Sequence, residues 1–457
     1  MRCIAIALVV LAAGCGGSAP KAVPTRSAAP ERIATAKPAR TPVPRLRGAT
    51  RCSDVPDATC STLRVPLDRR GGTEGTLNLR VAVAGKRDAP VFLVLSGGPG
   101  QPGLPFLQRA RAWLGPMTSK VRLVAIDQRG AGRDALDCPA LQKAMGASDL
   151  TPAPASAITD CARAIGKKRA FFTTRDTVAD LEALRIALKV PKLALDGTSY
   201  GTFVAQRYAL TYPKRVSGLV LDSVVPSEGV SMLSEVSIKA TRRVLGEETT
   251  KDLAEVIKEH HNGPEILDML TGLSVGDPRG TAAATAIQAA ADGNEGRLDR
   301  LIKGVRHAMQ SWGAERLSQG LHASTLCADS PAPWGTAAAP MEGRRQALEA
   351  AAAKLSDEDL YPYDRETATG NGFAVQCLNW PPVDVPPPAP AGELPDVPTI
   401  LLAGDRDLST PMEWTQAAAK RSPRGKLIVV RGDGHGVQAQ GDAKALGAVR
   451  ELVASLG

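Results

Sequence analysis

Three short segments of this 457-residue chain carry residue types that together can perform acyl transfer. Gly197-Thr198-Ser199-Tyr200-Gly201 is a GxSxG string lying between an apolar run at 193–196 and a helical pattern at 202–212. Reversing from strand to helix within one residue forces the serine into a strained backbone, and the flanking glycines let strand and helix approach closely. The hydroxyl is thereby lifted above a sheet edge, where it can act as a nucleophile. Such a hydroxyl needs a base, and the base needs an orienting carboxylate. Of the five histidines, His260, His261, His307 and His322 fall in a helical region and read as surface or core residues. His435 differs, because it sits in Gly432-Asp433-Gly434-His435-Gly436 directly after the last strand-like run. The carboxylate is expected after the preceding strand, in Gly404-Asp405-Arg406-Asp407, where two aspartates compete. An acyl-transfer intermediate also needs N–H donors for its oxyanion. The backbone of Tyr200 is one candidate, and Gly98, in the glycine- and proline-rich loop at 96–103, is the other.

Strand-like runs at 61–67, 76–84, 91–95, 121–126, 193–196, 218–222, 399–403 and 426–430 must position these groups. Several are almost continuously apolar, the mark of strands covered on both faces. Helical patterns intervene, clearest at 177–189, where Val178, Leu181, Leu184 and Leu188 share a face. Alternation of this kind predicts a parallel sheet with right-handed crossovers, the first two runs forming an antiparallel hairpin at one edge. Between 225 and 394 the strand pattern gives way to Ala-rich helical stretches such as 281–292 and 342–355, and the proline-rich stretch 381–398 closes that region. The order Ser, Asp, His along the chain is that of α/β-hydrolases. The expectation is therefore a mostly parallel eight-stranded α/β-hydrolase sheet with helices on both faces, built from 49–225 and 396–457, with a helical cap inserted at 226–395.

Composition agrees with a globular enzyme, at 43% hydrophobic and 23% charged residues. The formal charge is +9, but residues 1–50 hold eight basic residues against Glu31, which leaves about +2 for the remainder. A nearly neutral body gives no reason to expect a nucleic-acid partner. Residues 1–15, MRCIAIALVVLAAGC, have a basic start and an apolar run too short to cross a bilayer, and read as a secretory signal. Small residues before Cys15 resemble a bacterial lipobox, which makes Cys15 a candidate for lipidation and the sole route to a membrane. Residues 16–48, rich in Ala, Pro and Arg, read as a disordered tether. Cys52, Cys60, Cys138, Cys161, Cys327 and Cys377 remain, an even number consistent with three disulfides after export. Fifteen connectivities are open, and pairing of neighbours is the expectation. Neither CxxC nor HExxH spacing occurs, so no metal or other cofactor is expected.

The segments GGPG at 97–100, IDQRGAGR at 126–133, DGTSYGT at 196–202, RVSGLVLDSVV at 215–225, GDRDLSTP at 404–411 and GDGHG at 432–436 resemble the prolyl- and tripeptidyl-aminopeptidase family of α/β-hydrolase serine peptidases. The secreted or lipoprotein branch of high-GC Gram-positive bacteria is the nearest in character, with its early cysteine pair before a VPLD segment, here 65–68. The resemblance implies Ser199 as nucleophile, His435 as base and Asp407 as the triad acid, and it supports pairing Cys327 with Cys377. Arg129 would be structural or would brace the oxyanion loop. Two departures stand out: Ser96 replaces the histidine that many prolyl aminopeptidases carry before GGPG, and Pro226 replaces the usual acid after VLDxVV. An aminopeptidase needs a carboxylate for the substrate's α-ammonium group, and Glu228 and Asp329 are the candidates. The function expected is an exported serine exopeptidase acting on peptide N-termini. The alternatives are a carboxylesterase or lipase with the same triad, and a non-catalytic surface binding protein.

Overall fold

Backbone pairing among the described residues yields one sheet of nine strands, one more than the apolar runs predict. The computed structural model describes residues 43–386 and 391–456. The expected signal at 1–15, Cys15 and most of the expected tether therefore lie outside the described residues. The strands are β1 (Leu46–Arg51), β2 (Thr59–Pro66), β3 (Thr76–Ala84), β4 (Val91–Leu95), β5 (Arg122–Ile126), β6 (Leu193–Thr198), β7 (Val216–Asp222), β8 (Thr399–Gly404) and β9 (Gly425–Val430). Their order in space is β1-β2-β3-β5-β4-β6-β7-β8-β9. β1, β2 and β3 pair antiparallel, as does β3 with β5, and all pairs from β5 to β9 are parallel. The extra strand, β1, begins inside the stretch expected to be tether. Its residues are almost wholly exposed, so it adds to the edge by backbone bonds and leaves no hydrophobic pattern to read.

The central strands alternate as a pleat requires. In β4, Val91, Leu93 and Leu95 enter one apolar layer with the helices Thr174–Leu188 and Tyr200–Thr211. Phe92 and Val94 enter the opposite layer with the helices Leu104–Leu114 and Ala443–Ala454. Every residue of β4 and β8 is buried, which is why those segments read as unbroken apolar runs.

Between β7 and β8 a helical cap runs from the helix Glu235–Leu245 to the helix Gly372–Asn379. Its core also takes in Cys138, Leu141, Met145, Ile158 and Cys161 from the helices Pro139–Met145 and Ala155–Ile165. The cap is thus assembled from two stretches of sequence, one of them within the region expected to belong to the sheet domain. The disulfides are Cys52–Cys60, Cys138–Cys161 and Cys327–Cys377, the neighbour pairing expected. The second joins the two early helices, and the third joins two cap helices. Among the described residues no helix is long and apolar enough to cross a membrane.

Arg129 is structural and touches none of the loop at 96–103 through its described hydrogen bonds. Its fully buried guanidinium forks onto Asp180, Nε to Oδ2 at 2.7 Å and Nη2 to Oδ1 at 2.8 Å, and donates to the carbonyls of Leu67 and Phe171. This ties the turn after β5 to the helix Thr174–Leu188. Asp180→Asn leaves a buried cation short of its counter-charge, and is expected to lower stability by about 3–5 kcal/mol. Urea unfolding of the oxidised protein measures it.

Candidate active site

β6 ends at Thr198, and Ser199 occupies the next position with φ 57° and ψ −127°. Positive φ is uncommon for a residue with a side chain and marks a backbone held in place by its surroundings. Its supports are specific. The Ser199 N–H donates to the Asp222 carbonyl at 2.9 Å, and the Ser199 carbonyl accepts from the N–H of Thr202 at 2.8 Å. A Cβ on Gly197 would lie 2.4 Å from the Gly201 carbonyl oxygen, and one on Gly201 would lie 2.4 Å from that of Leu95. Both glycines of the GxSxG string are therefore demanded by close backbone approach.

The loop after β4 packs directly on this turn. A Cβ on Gly97 would meet the Ser199 Cβ at 3.2 Å, and Gly98 adopts φ 103°. Ser96, in the place of the family's histidine, donates to the Gln101 carbonyl at 2.8 Å and closes the loop on itself. Gly98 and Tyr200 both line the cavity that contains Ser199. The Tyr200 phenol is turned away from chemistry, paired with Thr174 Oγ1 at 2.7 Å, and burial raises its pKa far above the ordinary value.

Of the two competing aspartates, Asp407 is the one whose carboxylate meets His435. Asp407 is fully buried. Its Oδ1 accepts from the N–H groups of Ser409 and Thr410, both at 2.9 Å, and its Oδ2 accepts the Thr410 hydroxyl at 2.7 Å. The same Oδ2 lies 3.0 Å from His435 Nδ1. An acceptor there requires Nδ1 to carry the hydrogen, which leaves the Nε2 lone pair available as a base. Both described hydrogen bonds of the imidazole are on Nδ1. Contacts from a catalytic base to its serine commonly tighten only with substrate bound. Asp405 instead accepts the Gly432 N–H at 2.7 Å and braces the start of the histidine loop.

That loop is anchored from below. Buried Asp222, at the end of β7, accepts the N–H groups of Val437 at 2.9 Å and Gln438 at 2.8 Å, and Ser223 Oγ accepts that of Gly436. Gln438 donates to Asp196 at 3.0 Å, and burial pushes Asp196 up to about 7. From above, the His435 N–H donates to the Ser274 carbonyl of the cap at 2.9 Å. A Cβ on Gly434 would sit 2.0 Å from that oxygen. A Cβ on Gly436 would lie 4.0 Å from the Thr198 side chain, so the histidine loop abuts the serine turn. Burial disfavours the charged imidazole, but the charge and hydrogen bond of Asp407 outweigh it, and Asp222 and Asp149 add to them. The His435 pKa is therefore raised.

The cavity over Ser199 measures ≈ 80 Å³ and is lined by sheet-end, cap and loop residues including Val225, Val230, Leu326, Phe373 and Trp414. Ligand sites usually span roughly 300–1,000 Å³, so this one accommodates little beyond a side chain. Neither expected ammonium partner lines it. Glu228 is held by Arg421 at 2.6 and 2.8 Å, and Asp329 is buried with its Oδ2 accepting the Thr174 N–H at 2.7 Å. The carboxylate that does line it, Asp149, was not singled out by its sequence context, an irregular stretch between two short helices. A larger cavity of ≈ 400 Å³, lined by Glu74, Arg80, Asp127 and Arg133 among others, is not lined by Ser199, Asp407 or His435. Among the described residues, His261, Asp364 and Glu366 have metal-ligand spacing, but Asp364 Oδ1 already accepts the N–H and hydroxyl of Thr367.

Residues 90–247 match the family described as alpha/beta hydrolase fold, and residues 362–455 match that described as TAP-like protein. With the sheet order and the serine turn, these matches give the chain the α/β-hydrolase fold. It is 31% identical over 180 residues to a tripeptidyl aminopeptidase of Streptomyces coelicolor, covering 36% of this chain and 32% of that protein. It is 30% identical over 193 residues to a proline iminopeptidase of Neisseria meningitidis, covering 42% and 50%. Over 456 positions it is 25% identical to the serine protease Hip1 of Mycobacterium tuberculosis, covering 84% and 83%. The chain thus spans about a third of the first of these relatives and half of the second.

A raised His435 pKa has a sign that can be measured. The base works only when neutral, so labelling of Ser199 by a fluorophosphonate is expected to fall on acidification, with its midpoint above the ordinary 6.5. Asp407→Asn is expected to shift that midpoint down and slow labelling by ~10³-fold or more. Labelling rates across pH decide both.

Proposed function

We propose that this chain is a serine exopeptidase that removes single residues or short peptides from the N-termini of peptide substrates. The reading rests on one observation above all: Ser199, Asp407 and His435 follow the ends of β6, β8 and β9 in one parallel run of strands, in a chain whose relatives are named as peptidases. Ser199 Oγ attacks the scissile carbonyl and passes its proton to His435 Nε2, while Asp407 holds the imidazole and compensates its charge. The oxyanion is received by backbone N–H groups at Tyr200 and Gly98. His435 then gives its proton to the leaving amine, and a water repeats the sequence to release the acyl group. The cap leaves little room over the serine, which suits chain ends rather than the middle of a folded polypeptide.

On one preparation, aminoacyl p-nitroanilides and p-nitrophenyl esters are both expected to be hydrolysed, and Ser199→Ala is expected to lose ~10³-fold or more on each. Hydrolysis of esters alone would mark a carboxylesterase, and an unchanged rate in Ser199→Ala would mark a binding protein.

Export and lipid anchoring at Cys15 belong to the same proposal, supported by the MRCIAIALVVLAAGC segment. Cys15→Ala is expected to move the protein from the membrane to the soluble fraction of the host cell, read by fractionation and immunoblot.

A further inference from the structure

We propose that Asp149 is the carboxylate that receives the α-ammonium group of the peptide substrate. The inference rests on the exopeptidase reading and names the subsite that reading requires. Asp149 is the only carboxylate among the described residues lining the Ser199 cavity, and no lysine or arginine lines it. The remaining lining is apolar side chains, hydroxyls and backbone. A cation entering this space meets one uncompensated negative charge, whereas a free C-terminal carboxylate is repelled.

The Asp149 side chain is 42% exposed and is held from its buried side. Its Oδ1 is held at 2.7 Å by Nε2 of His322, a residue with no exposed surface. Its Oδ2 has no hydrogen-bond partner among the described residues. His322 Nδ1 is likewise buried without a partner. The contact from this buried ring fixes the orientation of Asp149.

The backbone on either side is equally fixed. Ser148 Oγ and Thr151 Oγ1 each donate to buried Asp268 at 2.5 Å. The Ser148 carbonyl accepts from Gln319 at 3.0 Å, and the Leu150 carbonyl accepts from the Gly372 N–H at 2.8 Å. Gln319 and His322 stand on the same cap helix, Gln319–Asp329. Asp149 and Ser199 line the same cavity, so a substrate bound there by its ammonium group shares that space with the serine.

The test compares one aminoacyl p-nitroanilide with its N-acetylated counterpart on each preparation of the full chain, because the ratio of their kcat/KM cancels any loss of active fraction. The wild type is expected to favour the free amine strongly. Asp149→Asn is expected to reduce that ratio about 100-fold, mainly through KM of the free-amine substrate. Asp149→Glu, which keeps the charge, is expected to retain part of the preference. A wild-type ratio in Asp149→Asn, or equal losses on both substrates, overturns the assignment and leaves the exopeptidase reading standing. A wild type that cleaves both substrates alike, or neither, removes the exopeptidase reading and the subsite with it.

Discussion

A serine at φ 57° does not hold that conformation by itself. Left-handed backbone at a residue with a side chain costs on the order of 1–3 kcal/mol, and here it persists because the surroundings leave no alternative. Gly197 and Gly201 bring strand and helix so close that no other path joins β6 to the helix after it. The Ser199 N–H is fixed on the Asp222 carbonyl, one strand across. Asp222 belongs to both sides of the site, since its carbonyl holds the serine turn and its carboxylate holds the N–H groups that follow His435. The serine turn and the histidine loop are thus registered against one buried residue at the end of β7.

This arrangement explains why so much acidic character lies beneath the site without acting in chemistry. Asp196, Asp222 and Asp407 are all buried at strand ends. Burial raises Asp196 and Asp222, and their hydrogen bonds go to Gln438 and to backbone N–H groups. Asp407 alone turns a carboxylate oxygen to the imidazole. The environment separates the one acid that faces the ring from two that face amide groups, and residue type alone could not.

The parallel core was legible because strands buried on both faces must be apolar throughout, as in VFLVL of β4. The GxSxG turn and the glycines around His435 were legible because each close approach forbids a side chain. The choice between Asp405 and Asp407 depended on which carboxylate faces the ring, a matter of three dimensions that only the family resemblance anticipated. β1 escaped notice because an exposed edge strand needs only backbone partners. Asp149 escaped because nothing in ASDLTP tells that Ser148 and Thr151 pin the turn to Asp268 and aim the aspartate at the cavity. Glu228, by contrast, was conspicuous in sequence and is neutralised by Arg421 in space.

The cap is more than a cover. The Ser274 carbonyl accepts the His435 N–H, and Ser318 donates its N–H to the Gly100 carbonyl of the loop after β4 at 3.1 Å. Two of the three loops that form the site therefore rest on cap backbone, with clearances that admit no Cβ at Gly434 or Gly100. The cap is itself closed by Cys327–Cys377 and shares its core with the helices around Asp149. A cap so engaged cannot swing as an independent lid without releasing the histidine loop and the loop after β4 together. Phe373 of the cap and Trp414 of the sheet domain line the cavity over Ser199 together.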